Sequence, residues 1–97
     1  MKKQFYVYMI TNKNKTVLYT GVTNDIQRRL REHLRGELEG FARQYQCKYL
    51  VYFETYCYIN DAISREKQIK KYSRKKKEML IDRFNPGWRF LNYCYLL

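Results

Sequence analysis

The hairpin-like pattern of residues 5–33 constrains the fold more than any other feature of the chain. Two short apolar runs flank the polar tetrapeptide NKNK, and a basic amphipathic segment follows them. Such runs around a polar turn are typical of two antiparallel strands. With Thr11 opposite Thr16, Tyr8 lies directly across from Tyr19, so both side chains occupy one face of the sheet. A one-residue slip in this register would send one tyrosine to the opposite face.

The segment after the hairpin is predicted to be a helix. Thr23 or Asn24 supplies the N-cap, and Asp25 is favourable in the first turn because the helix dipole is positive there. The apolar stripe of this helix consists of Ile26, Leu30 and Leu34. Arg29 and His33 border that stripe, so we expect both beside the sheet and not in bulk solvent. Two tyrosines, an arginine and a histidine therefore converge where the sheet meets the helix.

The same residues carry a resemblance to a known family. The tripeptides YVY (6–8) and YTG (19–21), followed by Arg29 and His33, resemble the motif of the GIY-YIG nuclease superfamily. The motif spacing agrees, whereas the tripeptides depart at backbone and packing positions, with Thr20 in place of the second isoleucine. The resemblance extends through Glu66 and Asn85 to the sequence PGW at 86–88. It is closest to the short single-domain members of the family from bacteria.

This resemblance implies an α+β fold in which helices flank a small three-stranded antiparallel sheet, within a single domain over residues 1–97. It also implies a metal-dependent endonuclease that hydrolyses phosphodiester bonds of DNA. We expect no added recognition element. Specificity is therefore expected to come from nucleic-acid structure, as in DNA repair or processing, or from a dimer or partner protein.

The charge of the chain makes nucleic acid the expected partner. The sequence has 20 Lys and Arg residues against 9 acids, for a net charge of +11. Basic surfaces attract nucleic-acid phosphates or anionic lipid. No amphipathic helix pairs a lysine-rich face with bulky Trp or Phe anchors, so a membrane partner is not expected. DNA is the expected partner, and RNA stays open.

The three cysteines, Cys47, Cys57 and Cys94, favour a reducing compartment. Their odd number and the lack of a CxxC spacing argue against a disulfide framework or a zinc site. The apolar run near the N-terminus is interrupted too early for a signal peptide, and no segment reaches the length of a membrane span. We therefore expect a cytoplasmic protein with reduced thiols.

The remaining segments complete the predicted order ββαβαα. Gly36 ends the first helix, a turn of helix follows at 41–45, and a third strand covers 47–56 with an apolar LVYF centre that indicates cover on both faces. Helices are predicted over 62–72 and 78–84, joined by the basic connector SRKKK, with a stop at the NPG sequence. The apolar tail WRFLNYCYLL is expected to pack on the core, or to contact a partner or a second copy.

Glu66 is the carboxylate that is hardest to explain as ordinary surface charge. On a helical wheel it lies within the apolar stripe formed by Ile59, Ala62, Ile63 and Ile69. A carboxylate there requires a compensating charge or a metal, and an i, i+4 ion pair with Lys70 is the simpler explanation. In the family, the glutamate at this point of the motif holds a divalent metal. One carboxylate suits a loosely held Mg²⁺ or Mn²⁺ recruited with DNA, and suits neither zinc nor a two-metal site.

The resemblance also assigns roles to the other motif residues. Either tyrosine can serve as the base, and we favour Tyr8, with Tyr19 positioning the water or the phosphate. A tyrosine base requires a lowered pKa, from Arg29, from the metal, or from His33 as proton acceptor. Arg29 would hold the scissile phosphate, because a bidentate guanidinium fits phosphate. Asn85 would orient a tyrosine or the backbone near the site, although the end of a helix before proline explains this asparagine equally well.

Basic residues on the helices are expected to contact the DNA backbone, which positions a substrate without reading its sequence. They are Arg28, Arg65, Lys67, Lys70, Lys71, Arg74, Lys75, Lys76 and Lys77. A solvated face is the simpler explanation of such a run, and its adjacency to Glu66 favours a DNA track. Two alternatives to an endonuclease stay open: a nucleic-acid-binding module with weak or no cleavage, and a protein-interaction domain that uses the apolar tail.

Overall fold

The computed structural model describes residues 4–38 and 40–92. Its elements are β1 (Phe5–Thr11), β2 (Leu18–Thr23), α1 (Ile26–Arg35), α2 (Phe41–Gln44), β3 (Tyr49–Tyr56), α3 (Ile59–Lys70) and α4 (Arg74–Phe84). The strands form one antiparallel sheet in the order β2-β1-β3. The predicted α+β class, sheet and order ββαβαα are confirmed, with α2 as the short helical turn before β3. In the described ranges, no helix combines the length and the apolar composition of a membrane span.

Alternation along the central strand β1 sends its side chains into two separate cores. Tyr8 and Ile10 pack with the apolar residues of α1, whereas Val7 and Met9 pack with those of α3 and α4. All four of these side chains are fully buried. The sheet is therefore covered on both faces, which explains why the centre of β3 is continuously apolar.

The hairpin register differs from the predicted one by two residues. Tyr8 pairs with Gly21, and Tyr19 pairs with Ile10, because the loop is longer than the NKNK turn. Asn12 closes this loop, since its Oδ1 accepts hydrogen bonds from two backbone N–H groups further along the loop, at 2.8 and 3.1 Å. A two-residue shift keeps every side chain on its face. Tyr8 and Tyr19 thus still share the α1 side of the sheet, as diagonal neighbours.

Three helix starts also differ from the predictions, and the first is that of α3, which begins at Ile59 and not at residue 62. In α1, Asp25 is itself the N-cap and accepts a hydrogen bond from the Arg28 N–H at 3.0 Å. In α4, Ser73 caps the helix by accepting from the Lys76 N–H at 3.2 Å. The segment SRKKK is therefore the start of α4 and not a connector, because Lys and Arg form helix readily once a cap is present. The predicted end of α1 at Gly36 is confirmed, with a left-handed φ of 68°.

A β-bulge in β3 gives Asn85 a structural partner. Met9 pairs with Tyr52 and Ile10 with Leu50, which leaves Val51 as an extra residue on β3. Asn85, which follows the last residue of α4, donates from Nδ2 to the Val51 carbonyl at 3.1 Å. This hydrogen bond therefore links the bulge in β3 to the end of α4 and stabilises both.

The first residues of the apolar tail pack on the core, as predicted. Trp88 and Phe90 contact the core on the α3 side. The Leu91 N–H donates to the Leu50 carbonyl at 2.8 Å, and Asn92 accepts from the Leu50 N–H at 2.8 Å, so this segment covers part of the open edge of β3. Residues 93–97 lie outside the described residues. They include Cys94 and the end of the tail, so the predicted contact of the tail with a partner or a second copy stays a prediction. The other two cysteines are free thiols, one buried and one exposed.

Candidate active site

Tyr8 and His33 form the centre of the candidate site. Tyr8 comes from the central strand β1 and is fully buried, and His33 lies near the end of α1 with 5% of its surface exposed. The Tyr8 hydroxyl oxygen is 3.1 Å from His33 Nε2. Because β1 and α1 bury their apolar residues in the same core, packing itself brings the phenol and the imidazole together.

Gly21 leaves space for the Tyr8 ring. The two residues are direct cross-strand partners. A Cβ on Gly21 would lie 2.5 Å from the ring carbon Cζ of Tyr8, and closer still to its hydroxyl. These separations are far shorter than the roughly 3.5–4.0 Å at which carbon atoms make favourable contact. The Tyr8 ring therefore lies across the backbone of β2, and packing requires the glycine of the YTG tripeptide.

Tyr19 borders the same histidine from the edge strand β2. The ring centroids of Tyr19 and His33 are 5.9 Å apart with 62° between planes, and those of Tyr8 and His33 are 5.9 Å apart with 65°. Both pairs are edge-to-face. Tyr19 is partly exposed, whereas Tyr8 has no exposed surface. Of the two motif tyrosines, Tyr19 is therefore the one that reaches solvent.

Burial sets the protonation states of this pair. Burial, followed by the neighbouring Tyr19, raises the pKa of Tyr8 well above its ordinary value, and the Arg29 guanidinium offsets only part of this effect. Burial, followed by the charge of Arg29, lowers the pKa of His33 to about 4. At neutral pH, Tyr8 is a neutral phenol and His33 a neutral imidazole, so the phenol can donate a hydrogen bond to Nε2.

Arg29 lies one helical turn before His33, with unused bonding capacity. Its Nε is 3.3 Å from Glu32 Oε1. Among the described residues, these two buried atoms have no partner with hydrogen-bond geometry. The rest of the Arg29 side chain is accessible, with 30% of its surface exposed. A guanidinium in this state suits an anion such as phosphate. Glu32 is not among the predicted site residues, although its i, i+3 spacing from Arg29 is a sequence signal.

Glu66 lies at the edge of the site, on α3. Its side chain is 15% exposed, and its Oε2 is 3.5 Å from Lys70 Nζ. The same ammonium lies 5.9 Å from the centre of the Tyr19 ring, which places the ion pair beside the edge strand β2. The i, i+4 pair expected as the simpler explanation of Glu66 therefore forms, and it forms next to a motif tyrosine.

The number of oxygen donors decides whether this region fits a divalent metal. Across residues 4–38 and 40–92, no three or more His, Cys, Asp or Glu side chains converge as metal ligands would. Glu66 is the carboxylate beside Tyr19, and one carboxylate fits Mg²⁺ or Mn²⁺, which retain water and take further oxygens from phosphate. It does not fit zinc, which requires more protein ligands. The Lys70 ammonium lies 3.5 Å from Oε2 of this carboxylate, so a cation there would share Glu66 with it or replace it.

Several of the predicted DNA-contacting residues are already bonded within the protein. Arg65 donates to Glu54 at 3.0 Å and to Gln68 at 2.7 Å. Arg74 donates to Glu78 at 2.9 Å and to two backbone carbonyls of the β1–β2 loop at 3.0 and 3.1 Å. These two guanidiniums bond within the protein, and their predicted role as DNA contacts stays a prediction. The predicted residues that are exposed are Arg28, Lys67, Lys70, Lys71, Arg74, Lys75 and Lys76, whereas Arg65 and Lys77 are partly buried.

The contacts of Asn85 are all with backbone groups. Nδ2 donates to the carbonyls of Val51 and Arg89 at 3.1 and 2.9 Å, and Oδ1 accepts from the Arg89 N–H at 3.1 Å. These bonds tie the end of α4 to β3 and to the turn that follows α4. No bond to a motif tyrosine is among those given by the described residues, so the bonds fit both a helix-ending residue and the predicted orientation of backbone, and a role in the site stays a prediction.

Comparison with known proteins assigns this arrangement to a family. Residues 4–79 match the family model described as the GIY-YIG catalytic domain. The matched range includes both motif tyrosines, Arg29, His33 and Glu66. The chain therefore belongs to the GIY-YIG family, whose catalytic domain is of the nuclease type.

The relatives that this chain resembles are small members of that family called UPF0213 proteins. A UPF0213 protein from Haloquadratum walsbyi is 40% identical over 82 residues, covering 84% of this chain and 91% of the relative. A second, from Natronomonas pharaonis, is 38% identical over 81 residues, covering 84% and 94%. The solution NMR structure of a UPF0213 protein from Bacillus halodurans matches with a TM-score of 0.58 and 26% identity, covering 97% of this chain and 99% of the other. These names state no activity.

Proposed function

We propose that this protein is an endonuclease that hydrolyses phosphodiester bonds of DNA with one divalent cation. One observation carries the proposal: the packing of α1 on the hairpin brings Tyr8, Tyr19 and Arg29 together around the His33 imidazole. Membership of the GIY-YIG family supports this activity, because nucleases of that family act on DNA. The net charge of +11 supports a polyanionic substrate.

The attacking water requires a base, and exposure favours Tyr19 over Tyr8 for this role. A general base must come within hydrogen-bond reach of the water. Tyr8 has no exposed surface and a raised pKa, so it neither meets water nor releases its proton readily. Tyr19 is partly exposed beside His33 and Lys70. Tyr19 is therefore the base in this proposal, and Tyr8 holds the imidazole in position, which reverses the preference drawn from the motif alone.

Arg29 binds the scissile phosphate in this proposal. Its guanidinium has an unfilled donor beside Glu32, and part of the side chain faces solvent. Charge-assisted hydrogen bonds from arginine to phosphate strengthen as negative charge develops on the oxygens in the transition state. Glu32 restrains the guanidinium before DNA binds, and an ion pair with this much exposure is weak enough to open.

Glu66 would hold the cation. When bound, Mg²⁺ or Mn²⁺ supplies positive charge to the phosphate oxygens. The Lys70 side chain has 49% of its surface exposed, so its ammonium can leave Glu66 for solvent or for the DNA backbone. Lys70 and a cation would therefore compete for the Glu66 carboxylate, and a DNA phosphate beside Lys70 would favour release of its ammonium from Glu66.

A nicking assay on supercoiled and branched DNA tests the proposal, with RNA as a parallel substrate. Mg²⁺ or Mn²⁺ is expected to support cleavage, and EDTA to abolish it. Glu66→Gln and Tyr19→Phe are expected to slow cleavage by about 100-fold, the usual scale for a group that acts in the transition state, while DNA binding persists. Glu78→Gln is the matched control, because Glu78 forms an i, i+4 ion pair with Arg74 on the neighbouring helix.

Cleavage by Glu66→Gln at the wild-type rate would assign the activity to another site or to a contaminant. One observation favours a second function, a nucleic-acid-binding module without cleavage: the Lys70 ammonium already neutralises Glu66. That alternative would be established if the protein bound nucleic acid in a salt-dependent manner but gave no cleavage product with Mg²⁺ or Mn²⁺ on any of the substrates.

A further inference from the structure

Three aromatic rings form a row that begins at the candidate active site. Tyr19 stacks on Phe41 of α2, with 6.4 Å between ring centroids and 22° between planes. Phe41 in turn contacts Tyr45, with 4.6 Å between centroids. Phe41 is 49% exposed and Tyr45 is 44% exposed. Half-exposed rings that adjoin one another are typical of a surface that a ligand covers. Neither Phe41 nor Tyr45 is among the predicted site residues.

A polar groove of about 420 Å³ lies at the far end of this row, with Tyr45 in its wall. Its lining supplies three amides and two lysines, from Asn14, Gln44, Gln46, Lys13 and Lys48, while a fourth amide, that of Asn12, is already bonded within the β1–β2 loop. Side-chain amides pair with the hydrogen-bonding edges of bases, and lysine pairs with phosphate. Among the described residues that line the groove, none is acidic.

We propose that Phe41 and Tyr45 stack on unpaired nucleobases beside the bond to be cut, and that the substrate is therefore single-stranded or splayed at this point. This inference rests on the proposed nuclease function and names its substrate class. A base inside a duplex is covered on both faces by its neighbours, so its face is available only after unpairing. Stacking of a freed base on an aromatic side chain is worth about 1–3 kcal/mol and tolerates any sequence.

Position and charge favour a nucleotide strand as the occupant. Tyr19 belongs both to the aromatic row and to the candidate site. A nucleobase stacked on Phe41 therefore lies one ring away from Tyr19, the proposed general base. The net charge of +11 and the two lysines of the groove complement a phosphate backbone. Aromatic faces match the face of a nucleobase, amides match its hydrogen-bonding edge, and lysines match the phosphate of a nucleotide.

Fluorescence of 2-aminopurine tests the inference, because stacking on an aromatic ring quenches this base analogue. Wild-type protein in EDTA is titrated into single-stranded, forked and duplex DNA that carry the analogue. Phe41→Leu and Tyr45→Leu keep apolar bulk but lose the aromatic face. Each is expected to weaken single-strand and fork binding about tenfold and to abolish the quenching, with duplex binding within about twofold. Tyr45→Phe is expected to restore both readouts.

Tyr58→Leu is the matched control, because Tyr58 is the most exposed of the exposed large hydrophobic residues at 73% and precedes α3. It is expected to bind and quench like the wild type. Equal single-strand affinity and unchanged quenching in Phe41→Leu and Tyr45→Leu would overturn the inference. Nicking assays in Mg²⁺ separate the two proposals. Quenching without cleavage supports the stacking site and contradicts the nuclease, and cleavage without quenching does the reverse.

Discussion

Two clusters of tyrosine, arginine and glutamate lie on opposite faces of the sheet, and they differ in how completely their polar groups are used. The α1 cluster consists of Tyr8, Tyr19, Arg29, Glu32 and His33. The Glu54 cluster consists of Tyr52, Glu54, Tyr56, Arg65 and Tyr72. Because the residue types are nearly the same, composition does not distinguish a functional site from a structural one.

The Glu54 cluster is saturated with internal hydrogen bonds. Glu54 accepts from Tyr52, from Tyr56 at 2.6 Å and from Arg65 at 3.0 Å. Burial alone would raise the pKa of Glu54, but hydrogen bonds from Arg65 and the two tyrosines outweigh burial and hold that pKa below its ordinary value. Arg65 also donates to the Tyr72 hydroxyl at 3.3 Å. A carboxylate and a guanidinium with so many partners fasten β3 to α3 and have little capacity left for a ligand.

The α1 cluster keeps bonding capacity in reserve. Arg29 Nε and Glu32 Oε1 have no hydrogen-bond partner within the described part of the chain, and His33 is neutral because its pKa is lowered to about 4. Unsatisfied buried groups cost free energy of folding, which is tolerable where a ligand later supplies the partner. The α1 cluster therefore differs from the Glu54 cluster in unfilled hydrogen-bonding capacity and not in residue type.

Exchanging each arginine for lysine tests this contrast most strongly. Arg29→Lys is expected to slow DNA cleavage about 100-fold with little change in melting temperature, because lysine cannot bind phosphate in a bidentate manner. Arg65→Lys is expected to lower the free energy of unfolding by about 2 kcal/mol, because Glu54 loses charge-assisted hydrogen bonds, with cleavage unchanged. Nicking rates and thermal denaturation measure the two effects. A stability loss in Arg29→Lys without a rate loss would make both clusters structural.

Adding a methyl group at Gly21 tests whether the Tyr8 position is as tightly fixed as the structure shows. Gly21→Ala is expected to destabilise the protein by about 2–3 kcal/mol, since the new Cβ overlaps the Tyr8 ring and nothing soft can yield. Gly87→Ala is the matched control, because the nearest atoms to its Cβ are the Arg89 side-chain atoms at 3.6 and 3.7 Å. Denaturant unfolding measures both variants. Equal stability of the two would show that the Tyr8 ring moves freely.

The two clusters are expected to affect stability in different pH ranges. The folded pKa of His33 is about 4, against 6.5 for an unperturbed histidine, so the unfolded chain binds more protons between these values. Stability contributed by His33 is therefore complete above pH 6.5 and is lost as the pH falls toward 4. The expected loss between pH 7 and pH 5 is about 2 kcal/mol. His33 is the single histidine of the chain, which isolates its effect.

His33→Gln provides the comparison for that pH dependence. Glutamine keeps a polar group near the position of Nε2 but does not titrate, so its stability is expected to be flat from pH 7 to 5 in urea unfolding experiments. The Glu54 carboxyl has a folded pKa below its ordinary 4.5, so its contribution is complete above that value and is lost only at lower pH. A wild-type curve as flat as that of His33→Gln would show that the imidazole titrates normally.

The smallest expected effect concerns Thr20, on the Glu54 side of the sheet. Within residues 4–38 and 40–92, its buried hydroxyl has no hydrogen-bond partner. Thr20→Val keeps the shape and removes that hydroxyl, so it is expected to raise the free energy of unfolding by about 1 kcal/mol with cleavage unchanged. A chemical denaturation curve measures the change. A loss of stability in the valine variant would indicate a bound water as the missing partner.

Local patterns predicted the parts of the fold that depend on short-range geometry. The hairpin, the basic helix and the end of α1 at Gly36 follow from turn, stripe and cap residues. The register was wrong by two residues because the side chain of Asn12 widens the loop, yet the face of Tyr19 was correct because strand side chains alternate with period two. The predicted apolar stripe of α3 was only partly correct, because Ile59, one of its four members, is 51% exposed at the start of that helix.

Local sequence patterns are enough to say which residues can meet within the hairpin and α1, because the periods of strand and helix set side-chain directions over short distances. Only the tertiary structure decided which charges are free. Arg65 donates to Glu54, which is 11 residues away in sequence. Arg74 donates to a carbonyl of the β1–β2 loop, which is 58 residues away. Such pairings depend on how α3 and α4 pack on the sheet, and no local period encodes them. The same packing places Lys70 against Tyr19, and so sets the competition for Glu66 on which the proposed chemistry depends.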